Sequence, residues 1–290
     1  MCVVTASTTG IGTLPDGTFR YHGPAGEYAN WAGIATLGNY AVVSEASCVK
    51  IDSSIPLDVA ALTSCGVLTG WGAAVRAAET RPGETVVVFG AGGVGVNAVM
   101  GAVQAGAGHV LVIDPVAAKR SFATELGATH AFASAGEARH AAADLNPRAG
   151  GADVVIIAAS HIGNGVMNDA LMLAGVRARV VIASITGGSD EVTIPAMALV
   201  NGELRLIGTS YGSCNPHADI PLVLELARAG SLPLARLITS RYALDDVAVG
   251  YADLLAGRNI RGLVEHDSVR QAHPAANLAE ADPRSTVQSR

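Results

Sequence analysis

From about residue 66 the chain alternates short apolar runs with segments whose apolar residues recur at helical spacing. The runs are Thr85–Phe89, His109–Ile113, Asp153–Ile157, Arg179–Ala183 and Leu204–Gly208, with a weaker one at His130–Phe132. Between them lie Val94–Ala105, Ala117–Leu126, Ala135–Leu145 and Asn164–Leu173, each carrying the 3.6-residue period of an amphipathic helix. Continuous β-branched runs suit strands covered on both faces, and strand–helix alternation suits parallel βαβ units. The pattern predicts an α/β fold with a doubly wound parallel sheet of six strands. Residues 216–264 read as helix, connector, helix and strand, with helices at Pro221–Arg228 and Asp245–Ala256 and a strand at Gly262–Glu265. Residues 1–62 read as β-and-loop material, with strand signals at Tyr40–Val43 and Cys48–Ile51 and too few apolar runs for a complete domain. From Asp267 to Arg290 there is no periodicity and little apolar content, so a disordered tail is expected there.

Composition narrows the class. Half of the 290 residues are hydrophobic, 15% are charged, 4% are aromatic and 34 are glycine, a mix that fits a well-filled α/β core with tight turns. A net charge of -6 with no Lys/Arg cluster argues against a nucleic-acid surface. Cys2, Cys48, Cys65 and Cys214 are widely spaced and include no C-x-x-C pair, so they do not form a disulfide framework. Neither a signal peptide nor an apolar stretch of ~20 residues is visible. The expectation is a soluble cytoplasmic protein without a membrane or nucleic-acid partner.

The sharpest chemistry lies in Gly90-Ala91-Gly92-Gly93-Val94-Gly95, a G-x-G-x-x-G turn. Such a turn alone is weak evidence in a glycine-rich chain. Here it follows a strand directly and opens a helix, which is the order that phosphate binding requires. Gly90 permits the turn, Gly92 lets the backbone approach a pyrophosphate, and Gly95 lets the helix pack close to the strand. The N–H groups of Gly93, Val94 and the helix start face the phosphates. Asp114 ends the second strand, 19 residues after Gly95. A carboxylate there accepts hydrogen bonds from both ribose hydroxyls of NAD and repels the 2′-phosphate of NADP, with Arg120 nearby as a countervailing charge. The reading is a Rossmann domain that binds NAD.

With Cys65-Gly66-Val67-Leu68-Thr69-Gly70 ahead of the turn, the chain resembles the zinc-dependent alcohol dehydrogenases of the medium-chain dehydrogenase/reductase superfamily. The likeness runs over about residues 2–265, through Asp16–Arg20, Tyr40–Val43, the Cys65 block, the glycine turn and Asn259-Ile260-Arg261-Gly262. The class that includes glutathione- or mycothiol-dependent formaldehyde dehydrogenases is the nearest in pattern. The resemblance implies that Cys65 matches a catalytic zinc ligand and that Thr69 lies beside the nicotinamide. It further implies that Lys119 contacts the adenosine ribose and that Arg261 reaches the pyrophosphate. It implies four regions: residues 1–65 from a GroES-like catalytic domain, 66–209 as the NAD-binding Rossmann domain, 210–266 returning to the catalytic domain, and 267–290 as the tail.

Complete members carry an upstream β-rich segment with further zinc ligands and a proton relay. Cys2 matches one cysteine of their four-cysteine structural zinc site. One thiolate does not hold a tetrahedral zinc, and the eight histidines show no H-x-x-x-H spacing, so none is named catalytic. His109 and His130, at strand starts, read as packing or solvent-facing residues. The functional expectation is an NAD-dependent zinc-type alcohol dehydrogenase, acting on a small alcohol or aldehyde but impaired as given. A homodimer or homotetramer paired along the sheet edge at Arg179–Ala183 and Leu204–Gly208 is implied. Two alternatives stand beside it: a zinc-free reductase of the quinone-oxidoreductase type, and a non-catalytic NAD-binding or dimerising module.

Overall fold

The computed structural model describes residues 12–13, 16–29, 36–38, 40–41, 43, 45–184 and 191–266. It divides into two compact units, residues 45–239 and residues 1–44 with 240–290.

The larger unit begins with α1 (Leu57–Leu62) and α2 (Gly66–Gly72), the latter continued by a wider π-type turn at Ala73–Ala77. In the smaller unit a short antiparallel ladder pairs β1 (Tyr21–Gly23) with β2 (Gly26–Tyr28). The sheet then forms from β3 (Thr85–Phe89), β4 (His109–Ile113), β5 (His130–Phe132), β6 (Ala152–Ile157), β7 (Ala174–Ile182) and β8 (Arg205–Gly208). Its spatial order is β5-β4-β3-β6-β7-β8, and every neighbouring pair is parallel. This is the doubly wound order, in which the winding reverses between β3 and β6.

The helices between the strands are α3 (Gly95–Gln104), α4 (Ala117–Glu125), α5 (Ala135–Leu145) and α6 (Asn164–Leu173). Each agrees within a residue or two with the apolar spacing. Ser134 caps α5, its hydroxyl accepting from the Glu137 N–H, as an N-cap serine should. All five residues of β3 are buried. Val87, Phe89, Leu111, Ile113, Val155 and Ile157 pack with Ala138, Ala142, Met167 and Leu173 of α5 and α6. The alternate residues Val86, Val88, Val110, Val112, Val154 and Ile156 are buried too. Burial of both parities means that both sheet faces are covered, which explains why these strands read as unbroken apolar runs. His109 and His130 meet edge to face across neighbouring strands, 6.1 Å between ring centroids, so both serve packing.

Beyond the sheet come α7 (Ala196–Gly202), α8 (Pro216–Arg228), β9 (Ile238–Ala243), α9 (Val247–Leu255) and β10 (Arg261–Glu265), with β9 and β10 paired.

Three expectations need correction or completion. Tyr40, Ala41 and Val43 are not in a strand, and Val42 lies outside the described residues. Tyr40 and Val43 are exposed, so these apolar side chains do not face a covered sheet. The Cys48–Ile51 signal is likewise irregular backbone, following a 3-10 turn at Glu45–Ser47. Conversely, β9 falls where a connector was read. Its half-buried alternation is short and is stabilised by β10 from later in the chain. Cys2 and the 267–290 tail lie outside the described residues.

Candidate functional site

The glycine turn occupies the carboxyl end of β3, where the winding reverses. Its first residue is held on both sides: Gly90 N–H donates to the Ile113 carbonyl at 2.8 Å, and Ala158 N–H donates to the Phe89 carbonyl at 2.8 Å. Gly90 has φ +88°, and a Cβ there would stand 3.0 Å from the Ala158 carbonyl oxygen. Gly95 is more constrained still. A Cβ on it would fall 1.7 Å from the Gly90 carbonyl oxygen, so the first turn of α3 closes directly onto the end of β3. At Gly92 the direction reverses, because a Cβ would meet nothing within 4 Å. Gly90 and Gly95 therefore exist for packing, and Gly92 between them faces open space.

No side chain caps α3 at Val94. The Val96, Asn97 and Ala98 N–H groups already donate to the Gly92 and Val94 carbonyls, so the donors left for a ligand are those of the turn up to Gly95. Asn97 reaches back to the turn, its Nδ2 donating to the Gly93 carbonyl at 2.7 Å.

Asp114 is buried at the end of β4. One carboxylate oxygen accepts from the Ala91 N–H at 2.8 Å and the other from the Val116 N–H at 2.8 Å. Each oxygen keeps lone pairs for further donors. The acid expected from spacing alone is thus physically tied to the turn. Arg120 donates to the carbonyls of Asp114 (2.7 Å) and Pro115 (2.9 Å), which places its charge within one residue of the carboxylate. Lys119 precedes it on α4 and is half-buried.

Cys65 and Thr69 sit on the start of α2, which crosses α3 with backbone nearly touching backbone. A Cβ on Gly70 would lie 2.0 Å from the Val94 carbonyl oxygen, and one on Gly101 would lie 2.9 Å from that of Trp71. The residue after Thr69 therefore abuts the glycine turn itself. Cys65 is exposed and Thr69 is buried. Arg261 lies on β10 in the smaller unit.

Around α2 the structure shows residues that spacing did not single out. Tyr211 donates its phenol to the Ser64 carbonyl at 2.6 Å. Burial first, then the nearby Cys65 and Cys214 thiols, pushes that phenol up to about 12. The Arg76 guanidinium stands 5.3 Å from the centre of the Trp71 ring and bonds the buried Asp219 carboxylate at 2.7 Å. Asp219 also accepts from the Asn215 N–H at 2.7 Å. Burial, then the Asp219 charge, pushes the Cys214 thiol up to about 12. The available signal was the turn-forming run Tyr-Gly-Ser-Cys-Asn after the last strand, but its partners lie some 140 residues upstream.

The zinc-binding dehydrogenase family matches the chain over residues 93–229. The NDMA-dependent alcohol dehydrogenase of Amycolatopsis methanolica is 42% identical over 258 residues, covering 89% of this chain and 69% of that protein. The chain belongs to the zinc-dependent alcohol dehydrogenase family. Alcohol dehydrogenase B of Mycobacterium tuberculosis is 36% identical over 267 residues, covering 92% of this chain and 71% of that protein. An alcohol dehydrogenase zinc-binding domain protein from Burkholderia ambifaria superimposes with a TM-score of 0.80 at 25% identity, covering 91% of this chain and 74% of that one.

The family name raises the question of a metal. Among the described residues no group of three or more His, Cys, Asp or Glu side chains is placed to hold one. Cys65 supplies a single thiolate where such a site takes three protein ligands. The described residues do not fit a zinc ion. No helix among them is long and apolar enough to cross a membrane.

Proposed function

We propose that this chain holds NAD(H) on the Gly90–Gly95 turn and serves alcohol–aldehyde hydride transfer. One observation carries the reading: the Asp114 carboxylate is hydrogen-bonded to the Ala91 N–H of the turn. A pyrophosphate bound to the turn brings its adenosine ribose to that carboxylate.

In this reading the backbone N–H groups of Gly92, Gly93, Val94 and Gly95 take the pyrophosphate, and Gly90 supplies the bend. Asp114 accepts the 2′- and 3′-hydroxyls, with Lys119 adding a donor at the same ribose. Arg261 answers the pyrophosphate charge, and Thr69 flanks the nicotinamide. Bound NAD would supply the nicotinamide carbon that accepts the hydride an alcohol carbon gives up on becoming an aldehyde. The protein's share is placement of the two carbons within reacting distance. Cys65 is proposed as a ligand that zinc would need alongside others. The domain division proposed from sequence, with residues 66–209 as the cofactor unit, belongs to the same reading. So does a homo-oligomer paired along β8, the terminal strand of the described sheet. The wide spacing of the cysteines, with no C-x-x-C pair, supports a reducing, cytoplasmic setting.

The test is a fluorescence titration of the chain with NADH and with NADPH, repeated for Asp114→Ala. NADH should bind tighter, and the variant should lose roughly 10-fold or more of NADH affinity, the worth of charge-assisted hydrogen bonds. NADPH binding as tight as NADH, or an unchanged variant, overturns the reading.

A further inference from the structure

The first turn of α2 carries both Cys65 and Thr69, and nothing in α2 itself fixes how it starts. Cys65 has φ -148° and ψ -82°, outside the helical region, with no side-chain cap. Its carbonyl accepts the first helical bond, from the Thr69 N–H at 2.9 Å. Such a helix start frays unless something outside the helix holds it.

The holding contacts come from the turn that follows β8. Three successive residues there are left-handed: Tyr211 at φ +58°, Gly212 at +66° and Ser213 at +58°. Only the middle one is glycine. A tyrosine at positive φ persists only where its surroundings over-determine it. The surroundings do so at two points. The Tyr211 phenol donates to the carbonyl of Ser64, the residue before Cys65, at 2.6 Å. Gly212 lies flat against the flank of α2, where a Cβ would stand 2.3 Å from the Leu68 carbonyl oxygen and 2.8 Å from that of Thr69. The Ser213 hydroxyl shares a 2.8 Å hydrogen bond with that of Thr209, bracing the turn from within. Packing alone requires neither a bulky left-handed residue nor a phenol aimed at a backbone carbonyl.

We infer that Tyr211 is a positioning residue, which pins the Ser64–Cys65 backbone and so sets the direction of the Cys65 thiol and the Thr69 hydroxyl. The significance of those two groups rests on the function proposed above. The contacts do not.

The test uses the full chain and the rate of alkylation by iodoacetamide, resolved by cysteine with mass spectrometry, in the wild type and Tyr211→Phe. N-acetylcysteine added to the same reaction serves as the reference thiol. Losing one hydrogen bond at the helix start should change the ratio of the Cys65 rate to the reference rate by roughly threefold to tenfold. A melting temperature that falls with the ratio unchanged shows a merely structural tyrosine and overturns the inference. Hydrogen exchange on the wild type gives a second measurement, independent of whether the variant folds. The Thr69 amide should be protected like the amides of α3, and exchange like that of a frayed end overturns the inference. Neither readout needs cofactor, so a chain that fails to bind NADH overturns the functional proposal while leaving Tyr211 to be judged on its own result.

Discussion

The glycine turn and the start of α2 touch at Gly70 and Val94, yet they are built on opposite principles. The turn is made of backbone, shaped by what a Cβ would hit at Gly90 and Gly95. Its side-chain anchors are near at hand or on the neighbouring strand: Asn97 on the first turn of α3, and Asp114, 19 residues beyond Gly95. The helix α2 is held by side chains from far along the chain: the Tyr211 phenol on Ser64 at its start, and Asp219 on Arg76 in the turn that continues its end. A backbone site is rigid because the alternatives collide. A clasped site is rigid only while each clasp remains shut. The two should therefore fail differently.

The largest failure is expected within the turn itself. Gly95→Ala places a methyl group 1.7 Å from the Gly90 carbonyl oxygen, and neither partner can retreat, since both are main chain. Overpacking of this kind costs about 3 kcal/mol or more, a fall in melting temperature on the order of 10 °C for a chain of this size. Gly92→Ala is the control. Its Cβ meets nothing within 4 Å, so thermal melting should change by no more than about 0.5 kcal/mol. NADH titration should nevertheless weaken, because the methyl group takes space that the pyrophosphate needs. If both variants melt alike, the division of the turn into packing glycines and an open one is wrong.

Opening a clasp should cost less. The Asp219 side chain is 5% exposed, while the Arg76 side chain that it binds is 43% exposed. Removing one partner of a fully buried pair costs ~3–5 kcal/mol. Here Arg76 can turn to water, so screening lowers the expectation for Asp219→Ala to about 2 kcal/mol. The Asn215 N–H loses its acceptor as well, at the N-cap of α8. Denaturant unfolding measures the loss. An Asp219→Ala variant as stable as the wild type would mean that Asp219 does not clasp α2, and this half of the contrast with the turn would collapse.

This contrast also explains what could be read from the sequence. The six strands and four intervening helices were legible because burial on both sheet faces writes itself into continuous apolar runs. The turn was legible because its G-x-G-x-x-G spacing follows an apolar strand run and opens a helix, and Gly95 answers a collision with Gly90 five residues before it. Asp114 was legible because the βαβ unit fixes where the second strand ends. Tyr211, Arg76 and Asp219 were not legible. Their partners are set by how α2 and α8 pack, and no local period records a contact across 143 residues, the separation of Arg76 from Asp219. Tyr40–Val43 failed for the complementary reason: a short apolar run suits a strand, but burial is decided by the packing around it, and Tyr40 and Val43 are exposed. The same limit applies to metal chemistry. Cys65 could be named from its block, but a ligand set assembled from distant segments has no local signature.

The smallest effect separates the two regions by pH. The Cys214 thiol, next to Asp219, has its value raised from 9.0 to about 12, chiefly by burial and then by the Asp219 charge. A raised value means that the folded state holds the proton more tightly than the unfolded chain does. The stability this confers is fully present below pH 9, and it is lost as pH rises through the window from about 9 to about 12. By pH 10 the loss should be about 1 kcal/mol, after discounting for the partial exposure of the group. Cys214→Ala lacks the titrating group. Whatever its stability at pH 7, its melting temperature should fall less steeply above pH 9 than that of the wild type. Gly92→Ala should keep the wild-type alkaline slope, because nothing in the turn titrates there. Equal slopes in Cys214→Ala and the wild type would show that the thiol is no more shielded folded than unfolded, and that the clasp around α2 is open to water.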